Sequence, residues 1–256
     1  MQNNTFSTLF VGQNLIKLSD VDSTNNYLKL LVSKSEPLPE GTVIMADNQF
    51  AGRGQQQSSW QSEPGKNLTF SVYLKPGFLP VQKQFLLNMA ISVALNDALT
   101  AFTGMKFKIK WPNDIYFGKQ KLGGILIENL LSGSSFKSGI IGIGLNINQV
   151  EFSGALKKNA ISLSQILHKN VNLIALLAVI CSHIESQYLK LRANNDAFLQ
   201  HDYLKKLFWF NEIGRYSHDG EVFEGIITAV SEQGLLVINR DGLEKAYNFK
   251  EVEFLI

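Results

Sequence analysis

Two cations among glycines and small polar residues are the first places in this sequence where chemistry could reside. Arg53 sits between Gly52 and Gly54, and Lys121 precedes Leu122-Gly123-Gly124. Glycines beside an arginine let the backbone approach an anion that the guanidinium also holds. Each cation also has a plainer reading: Gly52-Arg53-Gly54 as a surface turn, and Lys121–Gly124 as a hairpin exit with a solvated lysine.

Three further polar stretches interrupt apolar segments. Asp22-Ser23-Thr24-Asn25 is either a helix cap or a helix start whose hydroxyls and free N–H groups grip a polar ligand. Lys110-Trp111-Pro112-Asn113-Asp114 could be a strand ended by proline, with the tryptophan in the core. Gly142–Asn148 reads GIGLNIN, a strand whose glycines would allow close packing. An asparagine buried there unpaired would cost about 1–3 kcal/mol, which makes Asn146 a candidate ligand contact.

Common catalytic signatures are absent. Gly118-Lys119 is followed by Gln120, so the lysine–hydroxyl pair of a P-loop is missing. Residues 142–148 lack the third glycine of a dinucleotide fingerprint. No G-x-S-x-G elbow occurs, and His168, His183, His201 and His218 lie outside the polar stretches with no metal-ligand spacing.

The elements that must position these residues follow from hydrophobic periodicity. Strands are expected at 8–18, 42–46, 67–75, 106–111, 115–117, 122–131 and 136–147. Helices are expected from Asp22, over 81–102 with Gly104 as the stop, and through 161–206 with Asn172 as a cap. Residues 47–66 lack periodicity and are rich in Gly, Gln and Ser, which suggests a functional loop, expected to be a lid. From Phe210 onward, turns at Asp219-Gly220, Gln233-Gly234 and Asp241-Gly242 indicate a small β-module. The fold class is therefore α+β, with a catalytic domain over 1–209 and a small β-barrel domain over 210–256.

The 256 residues are 45% hydrophobic and 18% charged with a net charge of +2, which suits a folded core and gives no basic face for nucleic acid. Met1-Gln2-Asn3-Asn4 does not open a signal peptide, and the longest apolar run, Leu173 to Cys181, is too short to span a bilayer. The single Cys181 is expected in the core. A cytoplasmic location without membrane attachment is the expectation.

In order and spacing, DSTN at 22–25, QFAGRG at 49–54 with Trp60-Gln61-Ser62, GKNLTFS at 65–71, KWPNDI at 110–115, KLGGIL at 121–126 and GIGLNIN at 142–148 resemble the biotin–protein ligase family. The resemblance spans about residues 15–256. It implies a mixed-sheet catalytic domain of the biotin/lipoate ligase type with an SH3-like C-terminal barrel. The implied reaction makes biotinyl-5'-AMP from biotin and ATP, with Mg2+ accompanying the nucleotide, then transfers biotin to a lysine of a biotin carboxyl carrier protein. That partner would be an acetyl-CoA carboxylase or related carboxylase subunit.

Carried over by position, Ser23, Thr24, Gln49, Gly52, Arg53, Trp60, Lys121, Gly124, Gly142 and Gly144 would bind biotin. Arg53, Trp60, Asn113, Lys121 and Asn146 would bind the adenylate. Arg53 and Lys121 would be the catalytic cations, Asp114 is a candidate helper in the transfer step, and no metal ligands are assigned. Biotin's ureido ring, with one carbonyl and two N–H groups, suits small polar partners. Its carboxylate must meet the α-phosphate of ATP, and the two cations would offset their repulsion. The lid would shield the mixed anhydride from water and be more mobile without ligand.

Many members continue Gly-Arg-Gly with another Arg, where this chain has Gln55, Gln56 and Gln57, which can donate hydrogen bonds to a phosphate but supply no charge. Regulatory members carry an N-terminal DNA-binding domain; a domain needs ~50 residues, and with a first strand by about residue 8 no operator binding is expected. Edge-strand pairing would allow a homodimer, with no edge specified. The rival readings are a lipoate–protein ligase or octanoyl transferase, a silent biotin sensor, and a generic α+β binding protein.

Overall fold

The computed structural model describes residues 6–34, 37–55, 58–132, 135–154 and 156–256. Its elements run β1 (Leu15–Val21), α1 (Thr24–Ser33), β2 (Val43–Gln49), β3 (Leu68–Leu74), α2 (Gln84–Thr103), β4 (Lys108–Lys110), β5 (Asp114–Phe117), β6 (Gln120–Ser132) and β7 (Ser135–Leu145). They continue with α3 (Leu156–Asn159), α4 (Leu163–Leu167), α5 (Leu173–Arg192), α6 (Asp196–Lys206), β8 (Ile213–His218), β9 (Glu221–Val230), β10 (Leu236–Arg240), β11 (Leu243–Tyr247) and β12 (Glu253–Phe254).

The first seven strands form one sheet in the order β1-β2-β3-β7-β6-β5-β4. Only β1 and β2 pair in parallel; the other neighbours are antiparallel, so the sheet is mixed. Every residue of β3 is buried, as its LTFSVYL run requires of a strand covered on both faces. One face carries α2, which is buried nearly all round and packs on α5 and α6. At 20 residues each, α2 and α5 are apolar and long enough to cross a bilayer, but their apolar windows are 78% and 50% buried within the protein. They are core helices, and Cys181 is buried among their neighbours, as expected.

Local signals hold where they are strong. Gly104 closes α2 at φ 72°, its N–H reaching Thr100 O at 2.8 Å. The Asn172 side chain accepts the N–H groups of Ile174 and Ala175 at 3.0 Å. Asp219-Gly220 and Asp241-Gly242 take paired positive φ angles, as two-residue hairpin turns require.

Two expected elements differ. The strand expected from residue 8 begins only at Leu15. Before it, Gly12 turns at φ 84°, and the carboxylate of Glu185 accepts the N–H groups of Leu9, Phe10 and Val11 at 2.7–3.0 Å, replacing ladder bonds. The helical stretch 161–206 is three helices, broken where His168 and Asn194 enter left-handed backbone at φ 53° and 58°.

The last five strands form a separate antiparallel sheet, ordered β11-β10-β9-β8-β12. It is tied to the first by the Trp111 indole, which donates to Gly234 O at 3.0 Å and packs on Phe249.

Candidate active site

The sheet register gathers the expected residues before any side chain is considered. Thr69 of β3 faces Gly144 of β7, Gly144 faces Gly124 of β6, and Gly124 faces Asp114 of β5. The next same-facing row runs Ser71, Gly142, Leu126. Because strand side chains alternate with period two, both rows look to one side. There they floor a cavity of about 480 Å³, within the usual size for a small-molecule site.

The glycines leave room for specific neighbours. A Cβ on Gly144 would lie 2.5 Å from the Trp60 ring, and one on Gly142 would lie 2.5 Å from Asn25 Oδ1. At Gly124 the crowding atom is Asp114 Oδ1, at 2.7 Å. Gly52 is needed for a different reason: its Cβ would meet the Trp60 carbonyl oxygen at 2.4 Å, where the loop closes on itself. Trp60 N–H donates to Gly52 O at 2.9 Å, and Arg53 bridges to Ser59, so the loop doubles back and carries Trp60 over the sheet. Gln56 and Gln57, the neutral residues after the Gly-Arg-Gly turn, lie outside the described residues.

At the start of α1, Ser23 has extended backbone, but its side chain makes no capping bond. The capping reading of this stretch therefore lacks its hydrogen bond, and Ser23 and Thr24 instead line the cavity. Thr24 donates through N and Oγ1 to Gln49 Oε1 at 2.7 and 3.0 Å, and Ser71 Oγ lies 2.7 Å from Thr24 Oγ1 and 2.6 Å from Asn25 Oδ1. Thr24, Asn25 and Gln49 of this hydrogen-bonded network line the cavity.

Arg53 and Lys121 both line the cavity. Arg53 Nη2 is 2.6 Å from Glu128 Oε2, and Lys121 Nζ is 2.7 Å from Asp114 Oδ2. Two buried donors, Arg53 Nε and Trp60 Nε1, lack a protein partner among the described residues. Glu128 also accepts from Asn25 at 2.8 Å and from Lys29 at 2.5 Å. Burial pushes the Glu128 pKa up, but hydrogen bonds from Lys29, Asn25 and Arg53 outweigh it and leave the carboxyl below its ordinary range.

The matching family model, the biotin/lipoate A/B protein ligase family, covers residues 18–146. The bifunctional ligase/repressor BirA of Bacillus spizizenii is 32% identical over 251 residues, spanning 94% of this chain and 74% of the relative. The chain belongs to the biotin–protein ligase family. Biotin–[acetyl-CoA-carboxylase] ligase of Paracoccus denitrificans is 34% identical over 148 residues, 56% of this chain and 58% of that one. The biotin protein ligase of Aquifex aeolicus, solved with biotin and ATP, superposes with a TM-score of 0.79 at 28% identity, covering 94% of this chain and 98% of that one.

Within this ligase fold most of the expected residues share one cavity: Ser23, Thr24, Gln49, Arg53, Trp60, Asn113, Lys121, Gly124, Gly142 and Gly144 all line it. Gly52 and Asn146 do not. Asn146 is buried at the end of β7, its N–H on Leu122 O at 2.9 Å and its carbonyl on Leu163 N. Asn113 has a structural duty as well, donating its side-chain N–H to the Ile125 carbonyl.

Sequence reasoning assigned no role to Glu128 or the terminal strand, nor to Asn25, Ser71 and Lys110, although those three lie within stretches it singled out. Glu128 carried a legible signal, a lone carboxylate in the apolar run ILIENLL, and Ser71 likewise in LTFSVYL. Val252, Glu253 and Phe254 form one wall of the cavity, and nothing local in the sequence marks them.

Proposed function

We infer that this ligase activates biotin with ATP and transfers it to a lysine of a biotin carboxyl carrier protein. In the first step a biotin carboxylate oxygen attacks the α-phosphorus of Mg·ATP. The bond to the bridging oxygen breaks, and pyrophosphate leaves. In the second, a neutral lysine amine attacks the acyl carbon of biotinyl-5'-AMP. AMP departs with the anhydride oxygen, and the amine gives up its proton.

The observation that carries this reading is one cavity lined both by the hydrogen-bonded Ser23, Thr24 and Gln49 stretch and by Arg53 and Lys121. In this assignment Ser23, Thr24 and Gln49 meet the ureido group. The apolar Ile125, Leu126 and Ile143 meet the ring and valeryl chain. Arg53 and Lys121 offset the charge between carboxylate and phosphate. The unpaired Nε of Arg53 and Nε1 of Trp60 supply donors that a ligand oxygen would satisfy. Asn113 is assigned to the adenine end, as is Asn146, which would need to act from behind the cavity wall. Asp114, 2.7 Å from Lys121, is positioned to hold that ammonium in the first step and to assist deprotonation of the acceptor in the second.

Incubation with biotin, Mg·ATP and a biotin carboxyl carrier domain, read by intact mass, should add one biotinyl group to the carrier. An unmodified carrier, or a stronger response to lipoate than to biotin in ATP–pyrophosphate exchange, would overturn the assignment.

A further inference from the structure

Arg53 and Lys121 each stand within ion-pair distance of a carboxylate, and Arg53 shares its partner Glu128 with Lys29. Lys110, the last residue of β4, lines the same cavity. Among the described residues no carboxylate lies within ion-pair distance of its Nζ. Its ammonium instead rests on two aromatic faces, 5.1 Å from the Phe254 ring centre and 5.5 Å from that of Tyr116. Phe254 belongs to the terminal sheet, whose Val252 and Glu253 continue the cavity wall beside it.

Resting on the biotin-activation reading, we propose that Lys110 is the binding cation for the β- and γ-phosphates of ATP, and for the pyrophosphate that leaves. Arg53 and Lys121 are assigned to the reacting α-phosphorus and the biotin carboxylate. The polyphosphate brings several further negative charges that must be met elsewhere. Lys110 is held at the cavity rim by aromatic packing rather than by an ion pair, so it can engage an incoming anion without first breaking one. Burial lowers the Lys110 pKa and nearby Lys121 lowers it further, while Asp114 and Glu253 raise it in part. An arriving polyphosphate would act against that lowering.

The test is biotin-dependent ATP–pyrophosphate exchange by Lys110→Met and Lys110→Arg, alongside transfer to the carrier from supplied biotinyl-5'-AMP. Methionine keeps an unbranched chain over the two rings and removes the charge. Lys110→Met should raise the KM for ATP tenfold or more, while biotin affinity and transfer from supplied adenylate stay within twofold of wild type. Lys110→Arg should keep the KM for ATP within about threefold. An unchanged KM for ATP in Lys110→Met, or an equal loss of transfer from supplied adenylate, would overturn the role. If Lys110→Met does not fold, the same comparison with Lys110→Gln decides it. A wild-type chain that exchanges no pyrophosphate would sink the activation reading itself, a result distinct from an active wild type with an indifferent variant.

Discussion

Lys121→Ala tests the electrostatic core of the mechanism. In the structure the Lys121 ammonium lies 2.7 Å from Asp114 Oδ2, and its side chain is about one-third exposed. Removing it withdraws a donor from the site where phosphoryl charge develops, a loss typically of about 2.7–4 kcal/mol, or roughly 100- to 1,000-fold in kcat. It also strands Asp114, whose charge then faces incoming anions. Near a protein surface two unit charges 4 Å apart interact by roughly 4 kcal/mol, which bounds what that stranded carboxylate can add. Lys121→Ala should therefore slow ATP–pyrophosphate exchange by about 100-fold or more. Asp114→Asn added to it should recover part of the loss by removing the repulsion. The readout is initial-rate exchange at saturating biotin, with biotin binding measured separately by calorimetry. Retention of more than a tenth of wild-type exchange would refute the assignment of Lys121. A further fall in the double variant would refute the repulsion argument.

Other outcomes follow from particular contacts. Gly144→Ala places a methyl group 2.5 Å from the Trp60 ring, an overpacking cost of about 1–3 kcal/mol. Biotin affinity measured by calorimetry should fall about tenfold, and an unchanged affinity would count against Trp60 lying over the ligand. Glu128 has a depressed pKa, so its stabilising contribution is complete above the ordinary glutamate range and lost as pH falls through the lower folded value. Glu128→Gln should flatten the acid limb of melting temperature against pH below about pH 4.5, and parallel acid limbs would deny the carboxylate that role. Amide exchange over residues 47–55 and 58–66 should slow when biotin and ATP are both present, and equal protection in both states would argue against a lid.

The residues at the site were largely legible because their types conflict with their surroundings. Glycines in an apolar strand, cations beside glycines and hydroxyls ahead of a helix each violate a local pattern, and such violations concentrate where function constrains sequence. Their partners were less legible. Glu128 could have been flagged as an isolated acid, but its pairing with Arg53, 75 residues away in sequence, exists only because β6 and the doubled-back loop meet. Asn148, in the same polar stretch as Asn146, exchanges hydrogen bonds in both directions with the Val171 backbone. Two similar asparagines thus have different environments, a distinction that spacing alone does not make.

By itself the sequence determined what is local: the Asn172 cap, the Gly104 stop, the hairpin turns of the last fifty residues and the alternation that puts Gly142 and Gly144 on one face. These depend on backbone torsions and near-neighbour hydrogen bonds, which a few residues suffice to specify. Tertiary structure decided which strands lie side by side, and so that Thr69, Gly144, Gly124 and Asp114 form one row. It also decided that Phe254 of the final strand lies beneath Lys110. Those meetings arise from strand register and from the packing of one sheet against the other, long-range choices made by the burial of the whole core rather than by any single stretch of chain.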